Sequence, residues 1–175
     1  MRKIILGLAV TLDSYIEGPN GEYDWCFTDQ DYGMTEFMNR IDAIFFGRKS
    51  WEMMLTVENP GGGENPWAGM KNYVFSNTIK KSGEDFELVK GDIGDEVKKI
   101  KNQPGKDIWL FGGASLTSSL LNAGLVDEIG MAVHPILLGK GKPLFSGIEG
   151  RIKLQLLESK PYSSGLVYLT YNVVK

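Results

Sequence analysis

The stretch Ile4–Val10 is apolar with almost no alternation, the pattern of a strand buried on both faces of a sheet. The polar stretch Asp13–Tyr23 follows as a loop, broken by the turn signal Gly18-Pro19-Asn20-Gly21. Met34, Phe37, Met38 and Ile41 recur at i, i+3, i+4 and i+7 and predict an amphipathic helix, with Thr28 and Asp29 as N-cap oxygens ahead of it. Ala43–Phe46 reads as a short strand ending at Gly47, and a second helix starting near Ser50 carries Trp51, Met54 and Leu55. Asn59–Pro66 reads as a flexible loop, and Tyr73–Phe75 and Phe86–Val89 as strands. Asp92–Asn102 reads as a helix with Ile93, Val97 and Ile100 inward, and the Lys90–Lys106 charges as its outer face. Ile108–Phe111 is a strand, Gly112-Gly113 a turn, and Ala114–Ala123 a helix stopped by Gly124. Val126–Val133 is a further strand, and Lys153–Leu157 with Val167–Val174 form an antiparallel closing pair.

Strands that alternate with helices predict an α/β domain around a largely parallel sheet, whose ligands bind at the carboxyl ends of the strands. That rule singles out the loops after Val10, Phe46, Phe75 and Phe111. No repeat or linker divides the chain, so residues 1–175 are read as one domain. The formal net charge of −3 gives no basic field for a general nucleic-acid binder. No apolar window of membrane-spanning length occurs, and the start lacks the small-residue cleavage site of a signal peptide. Cys26 and His134 are the only residues of their kinds, which excludes an intrachain disulfide, a structural or deaminase zinc site, and a Cys–His or Ser–His pair. That usage fits a reducing cytoplasm.

Four stretches could carry chemistry. In Phe46-Gly47-Arg48-Lys49-Ser50-Trp51 a strand runs through a glycine into a helix start bearing two cations and a hydroxyl, a phosphate-ready arrangement that also fits a solvated basic turn. In Trp109-Leu110-Phe111-Gly112-Gly113-Ala114-Ser115-Leu116 paired glycines allow backbone approach, and the amides of Ala114–Leu116 are free for an anion, although Gly-Gly alone is often only a tight turn. Two such helix starts at one sheet edge fit a single diphosphate-bearing ligand, which points to a dinucleotide, and Ser76-Asn77-Thr78 could add polar contacts. The third stretch, Thr11–Gly18 continuing to Asp24-Trp25, could cover a planar substrate or pack on itself. The fourth, His134–Pro143, offers Lys140 and Lys142 to a substrate phosphate or to solvent, with His134 a structural residue at a strand end.

Phe46–Glu52 resembles the Gly-Arg-x-Thr-Trp-Glu segment of dihydrofolate reductase, and Leu8-Ala9-Val10, Lys71–Ser76 and Phe111–Ala114 match further segments of that enzyme in order. The closer resemblance is to the C-terminal reductase domain of the bifunctional riboflavin-biosynthesis deaminase/reductase and its stand-alone relatives. It is carried by Thr11–Ile16 with Gly18 and Gly21, Asp24-Trp25, Gly112–Leu116, Leu125–Glu128 and His134–Phe145. The resemblance implies a dihydrofolate-reductase-like three-layer fold, its central sheet mostly parallel with antiparallel C-terminal strands, and no deaminase domain. It implies NADPH as cofactor. Gly47, Arg48, Lys49 and Ser50 would hold phosphates, Gly112, Gly113, Ala114, Ser115 and Leu116 would line the diphosphate, and Ser76 would lie near the 2′-phosphate. Ala9, Ile16 and Gly18 would border the nicotinamide, and Gly112-Gly113 would be a cis peptide. Asp31 is the candidate proton relay and Asp13 the alternative; Trp25, Lys140 and Lys142 are candidate substrate contacts. The family also implies a homodimer, with Tyr162, Tyr168 and Tyr171 exposed on the closing strands.

The expected activity is reduction of a small molecule, the riboflavin precursor 5-amino-6-(5-phosphoribosylamino)uracil or a related pyrimidine or pteridine. Dihydrofolate reduction is a second expectation, disfavoured by Met70 and Ala132 where dihydrofolate reductase has Arg and Thr. A non-catalytic nucleotide-binding protein is a third.

Overall fold

A computed structural model describes residues 1–56 and 69–175, so the Asn59–Pro66 loop lies outside the described residues. In chain order the elements are β1 (Ile4–Thr11), β2 (Tyr15–Glu17), α1 (Met34–Arg40), β3 (Ile41–Gly47), α2 (Arg48–Met54), β4 (Lys71–Phe75) and β5 (Glu87–Val89). They continue with α3 (Ile93–Lys101), β6 (Asp107–Gly112), α4 (Ala114–Asn122), β7 (Glu128–His134), β8 (Lys142–Pro143), β9 (Leu154–Pro161) and β10 (Val167–Val173). One eight-stranded sheet has the order β5-β4-β3-β6-β1-β7-β10-β9, and β2 pairs separately with β8. From β5 to β7 every neighbouring pair is parallel; β10 runs antiparallel to both β7 and β9.

Alternation along the central strands sets the layers. Ile4, Leu6, Phe45, Ile108 and Leu110 face one side and pack with Val97 and Ile100 of α3 and Leu116, Leu120 and Leu121 of α4. Ile44, Phe46, Val74 and Trp109 face the other side and pack with Trp51 and Met54 of α2 and Phe37 and Met38 of α1. Helices therefore cover both faces, as the continuous apolar character of β1 requires. Each fully buried aliphatic or aromatic side chain contributes about 1.5–3 kcal/mol.

Local details depart from the sequence reading. β2 and β8 fall inside stretches read as loops, because a strand of two or three residues carries no measurable periodicity. Ile41 opens β3 rather than closing α1, and α2 begins at Arg48. Asp31, not Thr28 or Asp29, accepts the amides of Gly33 and Thr35 at the head of α1. Lys101 is not on an outer face: it is buried and ion-pairs with Asp127. Tyr162, Tyr168 and Tyr171 are half-buried, and the exposed apolar surface of the closing strands is Leu154, Leu156 and Leu157 on edge strand β9.

Asp127 ties the sheet together at the amino end of β1. Its carboxylate accepts the Ile4 amide at 2.8 Å and Lys175 Nζ at 2.6 Å, besides Lys101. Burial alone would raise its pKa, but these partners outweigh burial and hold it below the ordinary aspartate value. A carboxyl depressed by folding stabilises fully above its unfolded value, near pH 4, and loses that contribution as pH falls through the folded value. Asp127→Asn is expected to cost about 1–3 kcal/mol at neutral pH. It should also flatten the acid limb of stability, as read by urea unfolding between neutral pH and acid.

Candidate cofactor cleft

The carboxyl ends of β3, β4, β5 and β6 open onto a cleft of about 720 Å³ lined by Gly47–Ser50, Phe75–Asn77, Val89–Ile93, Gly113–Leu116, Ser119 and Lys142. The two phosphate-ready turns meet there. A Cβ on Gly47 would lie 3.5 Å from the Gly112 carbonyl oxygen and 3.6 Å from the Gly113 nitrogen, so the turns touch through their backbones. A Cβ on Gly113 would lie 3.2 Å from Ser50 Oγ and 4.0 Å from Lys142 Nζ. Glycine thus leaves a concavity between a hydroxyl and an ammonium, at the head of α4. The Gly112-Gly113 peptide is cis.

Three helices start at this cleft, and they differ. α3 is closed by its own N-cap: Asp92 accepts the Asp95 amide at 3.0 Å, and Asp95 and Glu96 fill its first turn. No side chain caps α4 and no acid stands in its first turn, so its leading amides face the cleft unsatisfied within the helix. α2 is short and likewise uncapped, and its contribution is the side chains of Arg48, Lys49 and Ser50. Arg48 Nη1 pairs with Glu52 at 2.9 and 3.1 Å, one turn along the same helix and half exposed. Such a pair is worth well under about 1 kcal/mol and yields readily to a phosphate.

Ser76 lies at the cleft edge, where its hydroxyl accepts the amides of Thr78 and Ile79 at 3.1 and 3.2 Å and so builds the turn after β4. Lys90, read from the sequence as outer-face charge, lines the cleft instead, because the parallel register carries the end of β5 to the same edge. Its signal was present: Val89-Lys90-Gly91-Asp92 repeats the strand–glycine–helix pattern of the other two turns.

The remaining candidates are arranged otherwise. Ala9 is half-buried in β1 opposite Ala132, and Ile16 is half-buried in β2. Gly18 is buried in a turn, its amide donating to the Glu22 carbonyl at 2.8 Å. Asp13 joins the opening segment to the loop after β7, accepting from Thr11 Oγ1 at 2.6 Å and from the amides of Leu138 and Gly139 at 3.3 and 2.8 Å. The Thr11 hydroxyl, then the two amides, hold its carboxyl below the usual range against burial. Asp31 is held low in the same direction by the Thr35 hydroxyl and amide. Both carboxyls are therefore ionised at neutral pH with their loops as they stand here. Trp25 lies outside the lining of this cleft and is buried edge-on against His134, ring centroids 5.2 Å apart. His134 accepts the Phe27 amide at Nε2, 3.1 Å, and its Nδ1 lies 3.0 Å from the Ala132 carbonyl, which assigns the Nδ1–H tautomer and a structural role. Burial and then Asp24 push the Cys26 thiol up to about 11, leaving it inert at neutral pH. Lys140 is exposed and outside the cleft lining, whereas Lys142 lies inside it. Met70 packs against the apolar cluster of Trp51 and Trp109, leaving no cation where dihydrofolate reductase has its arginine.

A mostly parallel sheet covered on both faces, with an antiparallel closing pair and glycine turns at its carboxyl edge, is the α/β architecture of the dihydrofolate-reductase-like class. The chain belongs to the RibD C-terminal domain family, whose model matches residues 2–168. It is 46% identical to the uncharacterized protein YyaP of Bacillus subtilis, over 98% of this chain and 95% of that one. A crystal structure of a candidate riboflavin biosynthesis protein from Shewanella sp. PV-4 superposes with a TM-score of 0.85 at 27% identity over the whole of both chains. The bifunctional deaminase/5-amino-6-(5-phosphoribosylamino)uracil reductase of Thermotoga maritima matches at TM-score 0.74 and 17% identity, covering 99% of this chain and 57% of that one. Dihydrofolate reductase of Enterococcus faecalis, solved with NADP(H), matches at 0.71 and 15%, covering 99% and 97%. The family is that of the reductase half of RibD. No helix among the described residues is long and apolar enough to cross a membrane.

Proposed function

We propose that the chain is an NADPH-dependent reductase of a pyrimidine- or pteridine-type heterocycle, of the same kind as the reductase step on 5-amino-6-(5-phosphoribosylamino)uracil. The observation that carries this reading is the cleft's charge. Arg48, Lys49, Lys90 and Lys142 line it with one carboxylate, Asp92, beside the uncapped start of α4, while Glu52 and Glu17, the partners of Arg48 and Lys142, stand outside the lining. That excess of cations suits a ligand with more charge than one diphosphate. The concavity left by Gly47 and Gly113 fits a diphosphate, gripped by the α4 amides, Ser50 and Arg48; Lys90 and Ser76 suit a further phosphate. When bound, NADPH supplies hydride. The chain's residues orient it and exclude water beneath the opening segment. With Asp13 and Asp31 both engaged and held low, the accompanying proton comes from solvent.

The substrate side carries a second observation. Residues 11–39 hold seven carboxylates and no Lys or Arg. Lys142 is turned to the cofactor cleft and Lys140 to solvent. This favours a substrate without a phosphate over the phosphoribosyl precursor, and Met70 disfavours folate. The test follows NADPH absorbance with the phosphoribosylamino-pyrimidine, its dephosphorylated form and dihydrofolate. Turnover of the dephosphorylated form above the other two is expected. Absence of NADPH binding by calorimetry would end the reductase reading and leave the fold without its cofactor. Lys90→Ala is expected to weaken NADPH about ten-fold and NADH less than about two-fold, the signature of one exposed charge contact to the extra phosphate.

The same reading includes a homodimer in the cytoplasm. β9 is a free sheet edge whose Leu154, Leu156 and Leu157 are 42%, 53% and 54% exposed. Exposed apolar edges of this kind pair with another strand. Light scattering should give twice the chain mass, and Leu156→Glu should give the monomer.

A further inference from the structure

We infer that Lys142 is a ligand of the anion held at Gly113, and that Glu17 is the positioning residue that ties this lysine to the opening segment. As a result, cofactor binding orders that segment. The inference rests on the cofactor reading above and goes beyond it, since it moves Lys142 from the substrate to the cofactor and gives Glu17 a role.

Lys142 Nζ lies 3.1 Å from Glu17 Oε1 and 4.0 Å from the Cβ position of Gly113, so the ammonium paired with Glu17 also borders the Gly113 concavity. An ammonium has three N–H donors, enough for the carboxylate and an anion together. Glu17 and Lys142 are direct partners in the β2–β8 pair. The backbone fixes that pair. Gly141 has φ +155°, and a Cβ there would lie 2.3 Å from the Glu17 carbonyl oxygen, so only glycine lets β8 pass this close to β2.

The two segments are joined along their length. The Leu12 amide donates to the Ile136 carbonyl at 3.0 Å, the Leu144 amide to the Ser14 carbonyl at 3.1 Å, and Asp13 accepts the amides of Leu138 and Gly139. They form one unit. Lys142 is its only residue lining the cleft. An anion at Gly113 therefore reaches the opening segment through a single ammonium. A carboxylate this near an anion site is tolerable because the lysine stands between them.

The test measures hydrogen exchange of residues 12–18 and 136–142, and the Kd, with NADP+ as probe. In the unaltered protein NADP+ should slow exchange of both segments several-fold. Lys142→Met should raise the Kd about ten-fold and abolish the slowing. Lys142→Arg should restore both. Glu17→Gln should change the Kd less than about three-fold, since the ammonium remains, yet lose the slowing in residues 12–18. A merely structural Glu17 would speed exchange equally with and without NADP+. The inference is overturned if Lys142→Met binds NADP+ as the unaltered protein does, or if Glu17→Gln keeps the full slowing. If the unaltered protein binds no NADP+, the cofactor reading falls and takes this inference with it.

Discussion

Arg48→Ala is expected to weaken NADPH binding roughly thirty-fold, the loss of a charge-assisted contact of about 2 kcal/mol. The guanidinium sits at the head of α2, at the rim of the cleft that also holds the α4 amides. Its partner Glu52 is on its own helix and half exposed, so breaking that pair costs little against the gain of a phosphate. The measurement is quenching of tryptophan fluorescence. Trp51 is a built-in reporter three residues along the same helix, packed against Phe46 and Phe86 at centroid distances of 5.3 Å. Arg48→Lys should recover only part of the affinity, because a lysine cannot make the forked contact. An unchanged Kd for Arg48→Ala would remove the diphosphate from this turn.

Gly141→Ala is expected to lower cofactor affinity about ten-fold or more and to cost at least as much stability as the left-handed backbone alone, about 1–2 kcal/mol, because a clash adds to that strain and opens a peripheral element. The atom that an added Cβ would strike is a backbone oxygen, that of Glu17, and cannot rotate aside. β8 must then leave β2, carrying Lys142 from Gly113. The comparison is Gly139→Ala two residues earlier. Gly139 has φ +73° with nothing within 4 Å of its Cβ position, so alanine there meets only the left-handed backbone cost of about 1–2 kcal/mol. Isothermal titration with NADP+, alongside thermal unfolding of both variants, separates the two. Equal affinities for the two variants would show that the β2–β8 pair has no part in the cleft.

Much of the fold was readable along the chain. The long elements announced themselves by period: β1 by an unbroken apolar run, α3 by Val97 and Ile100 one face apart, β10 by strict alternation. Errors clustered where local pattern carries least information. β2 and β8 are too short to show a period. Lys101 looked like every other lysine of α3 until Asp127, twenty-six residues on, supplied the buried partner that draws it inward. Tyr168 alternates as an exposed residue would, yet it lies against the Arg40 and Glu128 charges brought in from other strands and helices.

The candidate site divides in the same way. Sequence alone marked the turns whose helix-start amides are left without partners inside the helix. A strand, a glycine and a helix start are consecutive residues, and their unsatisfied amides follow from helix geometry whatever the rest of the chain does. It likewise determined that one cysteine and one histidine are too few for a structural zinc site or a Cys–His pair. Tertiary structure decided which turns share a cleft. Only the parallel register of β3, β4, β5 and β6 brings Arg48, Lys90 and Gly113 to one edge. Only the pairing of β2 with β8 turns Lys142 toward that edge, while His134, Trp25 and Asp31 lie outside the lining of that cleft. Amide availability is a property of a few bonded neighbours, whereas a cation's partner is set by distance in space, which the order of residues leaves open.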